Sequence, residues 1–362
     1  MALRTFANRR GLRDGIRNAD LDFNFNFLQG NGGGGSGSRD PFWRKGGSDI
    51  PSAHGVSGQS NVNNCKGNQY LTPKTGPIPD VYFWHDTTPA ATANNRSMVQ
   101  MDPTAPLWFV DPTALAPPTG DRGLGYCSDQ RGSITGHMVE LLAQARGAPG
   151  YIAQTYREGT EIAAWDPLTS ASYGAQEARV FTHEANKGMI TWLKANTDFD
   201  QDYLDTFTWI HSDKDFSDGT TNNEYSEAFI RFYEDALSEG YIHPEFTKIM
   251  LQESTSVARA GVTGYAPLEK VKRGLGEICV MMSSSRMTEW PGGLDVVHFS
   301  ASDTELKGHQ HGEVILGIMS AEDNAYRHHW QTDFKGFRSL LPMSTGTYEE
   351  EIPGIVDMTY DM

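Results

Sequence analysis

Cysteine is nearly absent from this 362-residue sequence: Cys65, Cys127 and Cys279 are far apart and without C-x-x-C spacing, which argues against a disulfide framework and against a zinc site. Long apolar runs are missing. Nothing approaches the roughly 18 residues of a spanning helix, and the N-terminus lacks the apolar stretch of a signal peptide, so neither a membrane protein nor conventional export is expected. Positive charge is scarce, with 30 Lys and Arg against 46 Asp and Glu and a net charge of −16. That excludes a surface built as a whole to hold nucleic acid and leaves only local basic patches. Catalytic signatures are missing too: there is no G-x-S-x-G, no Walker loop and no G-x-G-x-x-G opening a helix. Among the many acids no pair stands out as that of a glycosidase.

Aromatic residues are plentiful, with 14 Tyr, 17 Phe and 8 Trp, too many for a disordered chain, while 38 Gly and 18 Pro point to long loops. The length suits one large domain or two smaller ones. The pattern divides the chain into three regions. Residues 1–38 form a basic arm, an alternating strand and a Gly/Ser linker. Arg4, Arg9, Arg10, Arg13 and Arg17 stand against the single Asp14, which suits a solvated or targeting tail, or an arm laid on phosphate or on an acidic neighbour. Residues 20–27 then alternate Phe with Asp or Asn, and 31–38 make a flexible tether. Residues 39–130 read as a loop-rich extended region carrying the aromatic runs 81–84 and 107–110, the kind of segment that packs on another chain.

Residues 131–362 are the main body. A helix opens at Ser133 and stops at Gly147. A longer one covers 224–239, because Tyr225, Ala228, Phe229, Phe232, Tyr233 and Ala236 recur at i, i+3, i+4 and Gly240 ends the run. Residues 178–193 suit either strands or one helix. Strand signals fall at 206–210, 278–281, 294–299 and 314–319. Short strands separated by elaborate connections predict a mainly β protein with inserted helices, a jelly roll, barrel or sandwich with long loops. The alternative is an α/β phage capsid fold with 175–200 as its spine helix.

Two clusters carry ligand chemistry. Asp213, Asp215, Asp218 and Glu224, with Ser217 and Gly219, approach a calcium loop, since alternate oxygen ligands and a distal carboxylate suit a hard cation. The favoured reading is a plain acidic turn that caps the next helix, with no cofactor; bound Ca2+ or Mg2+ is the alternative. His309, His311 and Glu313, with His328 and His329 downstream, offer imidazole and carboxylate for a metal-dependent enzyme, although the spacing departs from that of cupins.

The run Phe229-Ile230-Arg231-Phe232-Tyr233 ending at Gly240, then a polar excursion and Gln310-His311-Gly312 leading into Val314 to Met319, resembles the late part of the major capsid protein of small tailless single-stranded DNA phages, the microvirus family, over about residues 224–342. The resemblance implies a viral jelly roll in a shell around DNA, with no enzymatic role. The basic tethered arm and long aromatic loops point the same way. The expected function is therefore a self-assembling bacteriophage coat protein, found in the virion and assembled in the host cytoplasm. Its partners would be copies of itself, other virion proteins and nucleic acid held by the arm, with no membrane. A surface carbohydrate-binding protein and the metal-dependent enzyme stand as alternatives.

Overall fold

The structure is a computed structural model that describes residues 51–63, 74–86, 96–104, 122–124, 133–157, 159–176, 178–252, 267–275, 279–282, 299 and 301–316. Its centre is a sheet in which six strands run parallel, in the order β2 (Val81–Asp86), β5 (Gly150–Arg157), β1 (Ser52–Gly58), β6 (Thr206–Ile210), β7 (Lys248–Gln252) and β8 (Cys279–Met282). Two antiparallel strands complete it. β3 (Arg96–Gln100) pairs with β2 at one edge, and β4 (Arg122–Leu124) pairs with the end of β5.

Helices cover both faces. Side chains of adjacent strand residues point to opposite sides, and here each side meets its own core. Phe207, Trp209, Ile249 and Leu251 face α3 (Ala178–Asn196), α5 (Asn222–Glu239) and α6 (Pro267–Leu275). Val56, Phe83, Ile152, Ile210 and Met250 face α2 (Ile134–Arg146) and α7 (Ala301–Ile315). Two short helices, α1 (Ser60–Asn63) and α4 (Asp213–Asp218), come directly after β1 and β6.

This is a three-layer α/β fold and not the expected jelly roll. The physical reason lies in the strands. A parallel sheet covered on both faces usually shows as continuous apolar runs, but β1 reads Ser-Ala-His-Gly-Val-Ser-Gly with every residue buried. Its His54 bonds Ser52 and Thr206 through its two ring nitrogens, and Ser57 bonds Thr182. Such hydroxyl and imidazole pairs let polar residues occupy a sheet centre without cost to hydrogen bonding, and they hide the strand from a hydropathy reading. The microvirus resemblance goes with the jelly roll: residues 310–315, expected to lead into a barrel strand, lie in the helix α7. The spine-helix capsid fold is set aside as well. A single helix does cover 178–196, yet it packs on a parallel sheet beside α5.

Both helix boundaries in the main body can be compared with expectation. Ser133 caps α2 by accepting from the Gly136 N–H, and Gly147 closes the helix in the left-handed region at φ 66. The 224–239 helix begins two residues earlier, capped by Thr221, whose side chain and that of Glu224 satisfy each other's backbone N–H groups. Residues 206–210 form β6. In the 294–299 strand candidate only Phe299 is described, and residues 107–110 lie outside the described residues.

Candidate active site at the carboxyl end of the parallel sheet

In an open parallel sheet, ligands bind beyond the carboxyl ends of the strands, where successive connections leave in opposite directions. Here the chain goes from β1 to β2, inserts β5 between them, and then crosses β1 to form β6. The helix preceding β5 lies on one face of the sheet, and the next long helices, α3 and α5, lie on the other. The crevice is therefore bounded by the segments that leave β1, β5 and β6.

Strand β1 ends at Gly58, whose φ of 146 is a conformation side chains rarely adopt; a Cβ there would lie 1.9 Å from the Ile210 carbonyl oxygen. The Gln59 N–H then donates to Ile210 O at 2.9 Å, and the chain turns straight into α1 with Ser60 as its first residue. Gln59 and Asn61 are buried on either side, and Ser60 between them is only partly so. A hydroxyl at a tight strand-to-helix turn, at the centre of the sheet and reachable by solvent, is where a nucleophile is presented in many α/β enzymes.

The flanking amides knit three strand ends together. Gln59 Nε2 donates to the Thr160 carbonyl after β5 at 2.5 Å, and Gln59 Oε1 accepts from the Asp213 N–H after β6 at 3.1 Å. Asn61 Nδ2 donates to Asp213 Oδ2 at 3.3 Å, and Asn61 Oδ1 accepts from the Phe299 N–H at 3.1 Å. Between Ile210 and Asp213, Ser212 holds φ 133, a strained backbone for a residue other than glycine. Phe299 is wholly buried and is preceded in the sequence by Asp295-Val296-Val297-His298. Residues 291–298 lie outside the described residues.

Beneath this turn is a buried polar group. His211 lies within hydrogen-bonding distance of the Tyr225 hydroxyl, 3.0 Å from Nδ1, and of Thr160 O, 3.1 Å from Nε2. Its Nδ1 is also 3.3 Å from Asp215 Oδ2. Asp215 accepts from the Ile162 N–H with both oxygens, at 3.0 and 3.1 Å. Burial holds His211 down to about 3 and pushes Asp215 up to about 7, so the pair is predominantly uncharged below neutrality. At the rim, Glu161 is pushed up by burial and by its hydrogen bond to Asp218, whose own carboxyl is held down by Lys214.

The four carboxylates of the calcium alternative are thus dispersed. Asp215 points into the core, Asp213 serves Asn61, Asp218 pairs with Lys214 at 2.7 Å, and Glu224 is the exposed half of the Thr221 cap. The His309, His311 and Glu313 group does not assemble either. On a strand, positions two apart share a face; on a helix they differ by about 200°. His311 is fully buried, its Nε2 3.0 Å from Gln252 Oε1, and burial holds it down to about 3, while His309 packs edge-on against His137. Among the described residues no group of three or more His, Cys, Asp or Glu is placed to hold a metal ion. Arg4, Arg9, Arg10, Arg13 and Arg17 lie outside the described residues, and no helix among those residues is long and apolar enough to cross a membrane.

Ser60 escapes the G-x-S-x-G pattern by one position: Gly58-Gln59-Ser60-Asn61-Val62 departs from it only at the last residue. Two signals in the sequence could have found it, Gly58-x-Ser60 just after a β-like run and Asp295-x-x-His298 far downstream.

No protein-family model matches the chain, and neither does any curated protein. Solved structures similar to it include a protein from Arabidopsis thaliana (14% identity, 74% of this chain and 98% of that one, TM-score 0.43). Others are a carbohydrate acetylesterase from Xanthomonas citri (11%, 74% and 57%, TM-score 0.42) and NanS (13%, 75% and 98%, TM-score 0.39). The chain thus spans little over half of the Xanthomonas protein. With a parallel α/β sheet in place of a jelly roll, the expectations of a phage coat, of a virion component and of no enzymatic role are withdrawn.

Proposed function

We propose that the chain is a serine-dependent hydrolase of carboxylic esters in which Ser60 is the nucleophile, His298 its general base and Asp295 the carboxylate that orients the imidazole. The observation that carries this is the bond from the Phe299 N–H to Asn61 Oδ1. It ties Phe299, the residue that follows His298 in the sequence, to Asn61, the residue that follows Ser60.

In the reaction, Ser60 Oγ attacks the ester carbonyl as its proton passes to His298. The C–O bond to the alcohol breaks, and the alcohol leaves with that proton. Water, deprotonated by the same imidazole, then releases the acid and restores Ser60. A serine, a histidine and an acid in unrelated chain orders carry out this chemistry on several folds.

The test is hydrolysis of p-nitrophenyl acetate, and then of O-acetylated sugars, the substrate class in the name of the Xanthomonas enzyme. Ser60→Ala and His298→Ala should each lower kcat by on the order of a thousandfold. Full activity in either variant would refute the assignment.

A further inference from the structure

We propose that Asn61 is a positioning residue, which fixes the chain at Phe299 against the nucleophile turn, and that the Asp213 carboxylate dictates which way its amide faces; this rests on the hydrolase reading for its catalytic consequence. A carboxylate only accepts hydrogen bonds and a backbone N–H only donates. Asn61 lies between one of each, with Asp213 Oδ2 at 3.3 Å from its Nδ2 and the Phe299 N–H at 3.1 Å from its Oδ1. Reversing the amide would set acceptor against acceptor and donor against donor, so the two partners allow one orientation. Asn61 and Phe299 are both buried and 238 positions apart in the chain. No local structure holds them together.

Asp213 is itself anchored. Its N–H donates to Gln59 Oε1, and Gln59 Nε2 donates to Thr160 O. The amides of Gln59 and Asn61, on either side of Ser60, therefore tie the turn to the ends of β5 and β6 and to the segment at Phe299. A base must be held within about 0.5 Å of its working position to be effective, and an anchor one residue away is well placed to do that.

The experiment uses the full chain, with p-nitrophenyl acetate kinetics from pH 5.5 to 8 and hydrogen exchange followed in the peptide containing Phe299. Asn61→Ala should lower kcat by about thirtyfold with KM within about threefold, and should speed exchange at Phe299. Asp213→Ala should act in the same direction. Asp213→Asn should recover most of the loss, because its carboxamide oxygen still accepts from Asn61. Asn61→Asp gives the readout a purely structural role would not. Two facing carboxylates repel, but the introduced carboxyl, once protonated, can donate to Asp213 and accept from Phe299, so the variant's activity relative to the unmodified protein should rise as pH falls. Unchanged exchange and unchanged kcat in Asn61→Ala, or a pH-independent ratio for Asn61→Asp, would overturn the inference. Faster exchange in Asn61→Ala together with no ester hydrolysis by the unmodified protein would uphold the anchor and refute the hydrolase reading instead.

Discussion

Gly58 and Ile210 meet backbone to backbone at the carboxyl ends of β1 and β6, so closely that any side chain on Gly58 would collide with the Ile210 carbonyl. The bond from Gln59 N to Ile210 O comes at once after it. The turn bearing Ser60 is therefore registered by the sheet's own backbone. The glycine two residues upstream thereby fixes where the Ser60 turn sits on the sheet.

Gly58→Ala should accordingly destabilise the protein by about 3 kcal/mol or more, since it combines a disfavoured φ with a clash against backbone that cannot swing aside. Urea denaturation measures it. Gly76→Ala is the control: a Cβ at Gly76 would meet nothing within 4 Å, and a shift beyond about 0.5 kcal/mol there would be unexpected.

Helix α7 should prove equally intolerant where it crosses α2. A Cβ on Gly308 would lie 2.3 Å from His137 Cβ and 2.6 Å from Ile134 O, and one on Gly312 would lie 2.8 Å from Leu141 Cδ2. Gly308→Val should lift α7 off α2, costing about 1–3 kcal/mol or more, and should lower ester hydrolysis because α7 begins two residues after Phe299. Undiminished stability would show that the two helices are not in contact at this point.

Stability should fall as the solution is acidified from pH 7 to 5. Burial holds His54, His137, His211 and His311 each down to about 3 from an ordinary 6.5. Below pH 6.5 the unfolded chain gains protons at these four sites that the folded protein refuses, which favours unfolding by about 1.4 kcal/mol per site per pH unit. Asp215, pushed up to about 7 from 3.8, works the other way: the folded form keeps a proton that the unfolded form has lost, so its contribution declines as pH rises from about 4 to 7. Four sites against one leave a net uptake of about three protons on unfolding near pH 5. Calorimetry should therefore show Tm dropping over this range, and His54→Gln should reduce the slope. A Tm that is flat or higher at pH 5 would contradict these buried neutral imidazoles.

The helices were the most legible part of the sequence, because Phe229, Phe232 and Tyr233 on one face of α5, or Met138 and Leu142 in α2, keep to the 3.6-residue period and end at glycines. The sheet was not. Its central strand contains His54, Ser57 and two glycines, and its polar side chains are satisfied by partners such as Thr206 and Thr182 that lie more than a hundred residues away. Helix α7 was hidden likewise. Thr304, Lys307, Gln310 and His311 are buried on its inward side, so its stripe is polar and its glycines, which serve close packing on α2, read as breaks. At the site, Asp213 and Asp215 stood out in the sequence for their charge. In the structure one carboxylate accepts from an amide beside Ser60 and the other is held in the core, while Ser60 itself bears no charge to draw notice.

The central claim is that Ser60 is a nucleophile, and covalent capture tests it most directly. Incubation of the full chain with an alkyl fluorophosphonate, then peptide mass spectrometry, should give one stoichiometric adduct on Ser60, absent in Ser60→Ala and strongly slowed in His298→Ala. No adduct on the unmodified protein, or one that persists at equal rate in Ser60→Ala, would contradict the account.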